Sequence, residues 1–178
     1  MTRRKSPCEQ LVGIVENDFG GHLFHMTDEA HLASIDANGL LSAREAALRG
    51  IKPMFPGGNA LSRSLDVSYD LDDMVFLSFF NMGLMPKHQD ARRRRPVLLK
   101  IAASVLYRSG VQVALGRANR SRTKIYKPGG ALFKMDWELI SGQVDVTNIH
   151  NRARYASVCD YEILVPKQVP RELILGTI

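Results

Sequence analysis

The chain has 178 residues, 45% of them hydrophobic and 24% charged, a composition that suits one compact domain with its own core and excludes a disordered or low-complexity protein. A formal net charge of +6, from 24 Lys+Arg against 18 Asp+Glu, points to a polyanionic partner, nucleic acid above all; an indifferent basic surface is the plainer alternative. With only Cys8 and Cys159 and no Cys/His cluster of zinc spacing, a disulfide framework and a structural zinc site are excluded and a reducing cytoplasm is expected. The N-terminal segment lacks the apolar run of a signal peptide, and no stretch is long and apolar enough to span a membrane.

In chain order, residues 1–8 are expected to be flexible and residues 9–17 to form a short helix, broken by Gly20-Gly21. Leu23-Phe24 begins a short buried strand ending in His25-Met26-Thr27. An acidic residue then opens a helix that carries Leu32 and Ile35 on one face and stops at Asn38-Gly39. Ser42 caps another short helix through residues 44–49, ended by Gly50. Two prolines and two glycines make residues 52–59 a loop. Residues 74–80 (MVFLSFF) read as a central, buried strand. Residues 81–86 turn the chain, and 87–95, including Arg92-Arg93-Arg94-Arg95, form a charged surface excursion.

Residues 96–105 read as a second buried strand running into a short helix or turn, and residues 111–115 as another strand. Residues 119–130 read as an exposed basic loop, and residues 136–140 as a helical turn with Asp136 as its cap. Residues 143–155 are polar and weakly patterned, residues 161–165 (YEILV) are a strong strand, and residues 169–174 end the chain in a turn or short strand. Strands and helices do not alternate as a doubly wound parallel sheet requires, and the Gly-Gly pairs at 20, 57 and 129 form neither GxGxxG nor a Walker loop. A mixed α+β fold in a single domain spanning 1–178 is expected.

Four residues stand out for chemistry. Glu162 lies just inside an apolar strand, where an unpaired carboxylate costs several kcal/mol to bury; it either faces a cleft or cation, or faces solvent in ordinary alternation. His25 follows an apolar strand, where a hydrogen-bonded core histidine is the plain alternative. Arg63 lies in Ser62-Arg63-Ser64-Leu65-Asp66, read as a loop, where a surface arginine paired with aspartate is common. Ser78 is the one hydroxyl in a hydrophobic strand.

Their order carries more than each alone. A strand ending His-x-Thr, a helix ending Asn-Gly-Leu, an Arg in Ser-Arg-x-Leu-Asp, a Leu-Ser-Phe strand and a Glu in Tyr-Glu-Ile-Leu-Val followed by Pro together resemble the DarT family. Its members are DNA ADP-ribosyltransferases, the toxins of DarT–DarG toxin–antitoxin systems. The resemblance runs from about Leu23 to Ile174. It implies an ADP-ribosyltransferase-like split antiparallel β core with peripheral short helices, clamping NAD+ as co-substrate with no metal.

By the same resemblance, Glu162 and Arg63 would be catalytic, and His25, Thr27, Gly39, Leu40 and Ser78 would contact or wall the NAD+ site. Residues 143–160 would face the acceptor, with Arg152, Arg154 and Tyr155 touching nucleic acid. Single-stranded DNA would be the acceptor and a DarG-like macrodomain antitoxin the partner. Many relatives place His directly after the Thr and Asn before the following Leu, where this chain has Asp28 and His31. The chain ends soon after the Glu162 strand, so a fused macrodomain is not expected.

The chemistry suits those roles. Cleaving the nicotinamide–ribose bond builds oxocarbenium-like positive charge that a carboxylate stabilises, and a planar guanidinium serves a diphosphate better than an ammonium. Transfer to RNA or protein on the same scaffold, or a non-catalytic nucleic-acid-binding module using Arg92–Arg95 and residues 117–127, are the competing readings.

Overall fold

Ser6 and Glu9 start the first helix. In the computed structural model, which describes residues 3–18, 20–53, 60–79, 95–140, 145 and 147–178, the Glu9 amide donates to Ser6 Oγ at 3.2 Å and the Ser6 amide to Glu9 Oε2 at 2.6 Å. This reciprocal pair, with Pro7 at the first helical position, is a capping box. Helix α1 (Pro7–Asp18) therefore begins inside the stretch expected to be flexible, and buries Leu11, Val12 and Val15.

Strands β1 (His22–Asp28), β3 (Met74–Ser78), β4 (Pro96–Ala102), β5 (Gln112–Ala114), β6 (Ile125–Tyr126), β7 (Glu162–Pro166) and β9 (Ile174–Thr177) form one sheet in the order β6-β5-β7-β3-β1-β4-β9. Every described pairing in it is antiparallel. One face carries Leu23, Val75, Leu77, Leu99, Ile101, Val113, Ile163 and Val165, which join the α1 residues in the main core. The opposite face is thinner: Leu164 and Ala114 meet Leu71 and Ala118, with Met74 and Phe76 packed alongside. Such alternation follows from the two-residue side-chain period of a strand.

The sheet is nearly divided. β1 pairs with β4 along its whole length, from His22↔Ala102 to Asp28↔Pro96, and β3 pairs with β7 from Met74↔Pro166 to Ser78↔Glu162. Between β1 and β3 the register holds the single pair Phe24↔Ser78. The strands part beyond it, which is the split core expected from the sequence.

Around the sheet lie α2 (Leu32–Asn38), α3 (Ala43–Leu48), α4 (Ala60–Ser68), α5 (Pro128–Ala131), α6 (Trp137–Ile140) and α7 (Ile149–Cys159). Ser42 caps α3, its Oγ accepting from the Glu45 amide at 3.1 Å. A second sheet pairs β2 (Leu40–Leu41) with β8 (Gln168–Val169), Leu40 against Val169.

Three expectations are corrected. Arg63 sits on helix α4, not in a loop: residues 60–68 hold neither Gly nor Pro and keep helical hydrogen bonding through Tyr69 N→Leu65 O. Residues 119–130 contain β6, paired Val113↔Tyr126 with β5, and the start of α5. Residues 149–159 are α7, started by Asn148, whose side chain accepts from the His150 amide at 2.9 Å. The 81–86 turn and Arg92–Arg94 lie outside the described residues, as do residues 54–59 of the proposed loop.

Candidate active site

Glu162 opens β7, an inner strand of the sheet, and its neighbours on either side are small. The register places Ser78 of β3 and Ala114 of β5 opposite it, and directly opposed residues of an antiparallel pair project from the same face. Ser78 is in turn opposite Phe24, and Phe24 opposite Lys100. A row Lys100–Phe24–Ser78–Glu162–Ala114 therefore crosses one face of the sheet. The residues that flank the carboxylate are small, and neither covers it as a larger strand residue would.

A loop, residues 115–124, returns from β5 to the Glu162 carboxylate. The Ala118 amide donates to Glu162 Oε2 at 2.7 Å, and the adjacent Asn119 donates from Nδ2 to Asp66 Oδ1 at 3.0 Å. Two consecutive residues thus hold two carboxylates from two elements, β7 and α4. Burial pushes the Glu162 carboxyl up to about 7; the Ala118 hydrogen bond and Arg117 oppose the shift, and Asp160 and Asp66 add to it. The Asp66 carboxyl is also raised, by burial first, against the Asn119 hydrogen bond. Arg63 stands one turn before Asp66 on the same side of α4, because residues three apart are neighbours on a helix.

His25, opposite Leu99 and so on the core face of β1 rather than the face of Phe24 and Glu162, turns its ring toward β3 at the split. Its Nδ1 is 2.8 Å from the Phe76 carbonyl oxygen; a carbonyl only accepts, so Nδ1 carries the proton and Nε2 is left as an acceptor. Burial lowers the imidazole's pKa, with the Phe76 hydrogen bond opposing and His31 reinforcing, which favours that neutral form. Thr27 Oγ1 meets His31 Nδ1 at 3.2 Å. Asp28, buried, accepts from the amides of Ala30 and Arg95, each at 2.9 Å, and so fixes the turn after β1 to the start of β4.

The other expected site residues lie on other elements. Gly39 caps α2 and Leu40 is a buried core residue of β2. On α7, Arg152 is exposed, and Tyr155 is 39% exposed, with its hydroxyl hydrogen-bonded to the Cys159 side chain one turn on. Arg154 is bound to Asp136 at 2.9 Å and Glu138 at 3.2 Å, which ties α7 to α6. As an exposed network it is expected to stabilise only modestly: Arg154→Ala should shift the urea midpoint slightly downward, and an unchanged midpoint would remove that role. Sequence reasoning missed Ala118, Asn119 and Asp66. Among the described residues no group of three or more His, Cys, Asp or Glu side chains could hold a metal ion, and no helix is long and apolar enough to cross a membrane.

The sequence model of the DarT family, described as "ssDNA thymidine ADP-ribosyltransferase, DarT", matches residues 24–178. The chain belongs to the DarT family. No curated protein sequence matches it significantly. Among solved structures, DarT of Thermus sp. 2.9 in complex with ADP-ribosylated ssDNA is similar at 17% identity and a TM-score of 0.62, over 86% of this chain and 78% of that one. The same Thermus protein in complex with NAD+ gives 14% identity and a TM-score of 0.53, over 86% and 79%. Thermosipho africanus DarTG in complex with ADP-ribose gives 17% and 0.59, over 86% of this chain and 42% of that one. At these identities the likeness is one of fold: the DarT α+β architecture, with its split antiparallel sheet.

Proposed function

We propose that this chain transfers ADP-ribose from NAD+ to the base of thymidine in single-stranded DNA, with Glu162 as catalytic base and Arg63 as the guanidinium that meets the diphosphate side of the donor. The observation that carries this is the half-buried Glu162 between small neighbours, beside the split between β1 and β3 and joined through Ala118 and Asn119 to Asp66, one helical turn after Arg63. In the reaction the nicotinamide–ribose bond breaks and nicotinamide departs with the bonding electron pair. The ribose carbon bonds to the thymidine ring nitrogen, and that nitrogen's proton passes to Glu162. A carboxyl near pH 7 suits proton transfer at neutral pH, and as carboxylate it also stabilises the developing ribose charge.

His25 presents an acceptor for a ribose hydroxyl, Ser78 lies beside Glu162 in the floor, and Thr27 steadies the turn through His31. Gly39 and Leu40, after α2, shape the wall of the NAD+ pocket. The chain is read as one transferase domain across 1–178, supported by the sheet that runs through it. The reading requires the cytoplasm, where NAD+ and single-stranded DNA meet, and a DarG-type macrodomain as the reversing antitoxin.

Incubation with labelled NAD+ and separate pools of single-stranded DNA, duplex DNA, RNA and protein tests it. Label confined to single-stranded DNA, with nicotinamide released, is expected; label on RNA or protein instead, or none anywhere, would overturn the acceptor or the activity. Arg63→Lys should lose about 10–100-fold in kcat/KM, because an ammonium cannot make the planar two-pronged contact. Unchanged kinetics in that variant would take Arg63 out of the site.

A further inference from the structure

The 115–124 loop has two sides. Ala118 and Asn119 face inward to Glu162 and Asp66, whereas Arg117, Arg120 and Arg122 line a groove of about 500 Å³ whose far wall is Ala153, Ala156 and Ser157 of α7. The loop is braced from within. Leu115 N donates to Lys124 O at 3.0 Å, Thr123 N to Arg120 O at 3.0 Å, and Thr123 Oγ1 to Arg117 O at 2.6 Å. Asp160 aims two of the arginines, lying 3.0 Å from Arg117 Nε and 3.4 Å from Arg120 Nη1. Three guanidinium groups against one carboxylate leave the groove positive. On α7 the spacing 153, 156, 157 puts three small side chains on one face, so the helix recedes and leaves width for a chain rather than a point ligand.

We propose that this groove holds the sugar–phosphate backbone of the acceptor strand, placing the target base at Glu162 from the β5 side. This rests on the transferase reading of Glu162. The incoming base and the departing nicotinamide lie on opposite sides of the reacting ribose carbon. His25 and Thr27 stand on β1, to one side of β7, and the groove stands beyond β5, to the other. The arginines are preorganised forks suited to phosphate oxygens, and an unstacked base can leave a bound backbone to enter a pocket. The groove thus supplies the acceptor contacts that Arg154, held by Asp136 and Glu138, is poorly placed to make.

The test is anisotropy of a fluorescein-labelled single-stranded thymidine-containing oligonucleotide on the full chain, from 50 to 300 mM NaCl. In Arg120→Ala/Arg122→Ala, Kd should rise about tenfold at 0.1 M salt, and the slope of log K against log salt should fall by about 1.4, some 0.7 for each lost phosphate contact. Ala156→Gln, which fills the groove and leaves every arginine in place, should weaken binding while leaving the tertiary near-UV spectrum intact. Wild-type affinity and slope in both variants would overturn the groove, whether or not the wild type transfers ADP-ribose. Binding that depends on the arginines in a protein that labels no DNA would instead overturn the transferase reading and leave the groove standing.

Discussion

Glu162→Gln is expected to lower ADP-ribose transfer to single-stranded DNA by about 10²–10⁴-fold and, in the same protein, to raise the stability of the fold at pH 8. The amide keeps an oxygen for the Ala118 hydrogen bond, so the loop stays closed, but it can neither take a proton nor balance ribose charge. The stability gain follows from burial. The folded carboxyl sits at about 7 against an ordinary value of 4.5. Between those two pH values the folded chain keeps a proton that the unfolded chain has released. Wild-type stability therefore falls as pH rises through that window and has lost its full share above pH 7, at most about 3 kcal/mol. Glutamine does not titrate, so the variant lacks this decline. Urea titrations at pH 5 and pH 8, with transfer assays on the same preparations, read both effects. Transfer in the wild type should climb through pH 7 as the carboxyl ionises. A fully active Glu162→Gln would remove this residue from catalysis, and parallel pH–stability curves would mean the carboxyl is not buried as described.

Gly39→Ala should destabilise the chain by about 3–5 kcal/mol, lowering the melting temperature by roughly 10 °C. Two causes add. Gly39 has φ 74° and ψ −179°, a conformation essentially reserved for glycine and worth about 1–3 kcal/mol of strain in any other residue. An added Cβ would also lie 2.6 Å from the Val169 carbonyl oxygen, 3.3 Å from the Arg171 amide nitrogen and 3.4 Å from Pro170 Cα. All three are backbone atoms, which cannot swing aside as a side chain can. Gly50 is the control, with φ 69° and nothing within 4 Å of an added Cβ, so Gly50→Ala should cost only the smaller conformational term. A Gly39→Ala protein that melts normally but shows a raised KM for NAD+ would make the pocket wall this glycine's main role.

Why some of this was legible in the sequence, and some not, follows from the range of the forces involved. Strands β3, β4 and β7 announce themselves through runs of bulky apolar residues, and Ser42 and Asn38-Gly39 mark helix ends by local chemistry, so both were readable. The Ser6/Glu9 capping box is just as local a signal, and it marks the start of α1. Helix α7 hid because Val158 is its buried residue while Ile149 is 74% exposed, leaving almost no apolar stripe. Strand β6 has two residues, too few for any period. At the site, an ordered set of His, Arg, Ser and Glu was readable as a family resemblance. The Ala118 amide was not, because a backbone donor has no residue type to betray it and its partner lies 44 positions away. Asp66 and Asn119 are separated by 53 positions, and nothing in either's neighbourhood foretells the other.

The near-division of the sheet at Phe24↔Ser78 also bears on how the chain assembles. On one side of that pair stand β1, β4 and β9; on the other stand β3, β5, β6 and β7. Along the chain, the sides alternate: β1 belongs to the first, β3 to the second, β4 to the first, β5 through β7 to the second, and β9 to the first again. Neither half is a contiguous segment, so each is completed only after part of the other has been made. Residues near position 22 wait for those near 100 and 174, which makes for high contact order and slow, all-or-none folding. A cleft that could have been the seam between two modules is instead stitched by repeated crossings, and it opens only as far as those crossings allow.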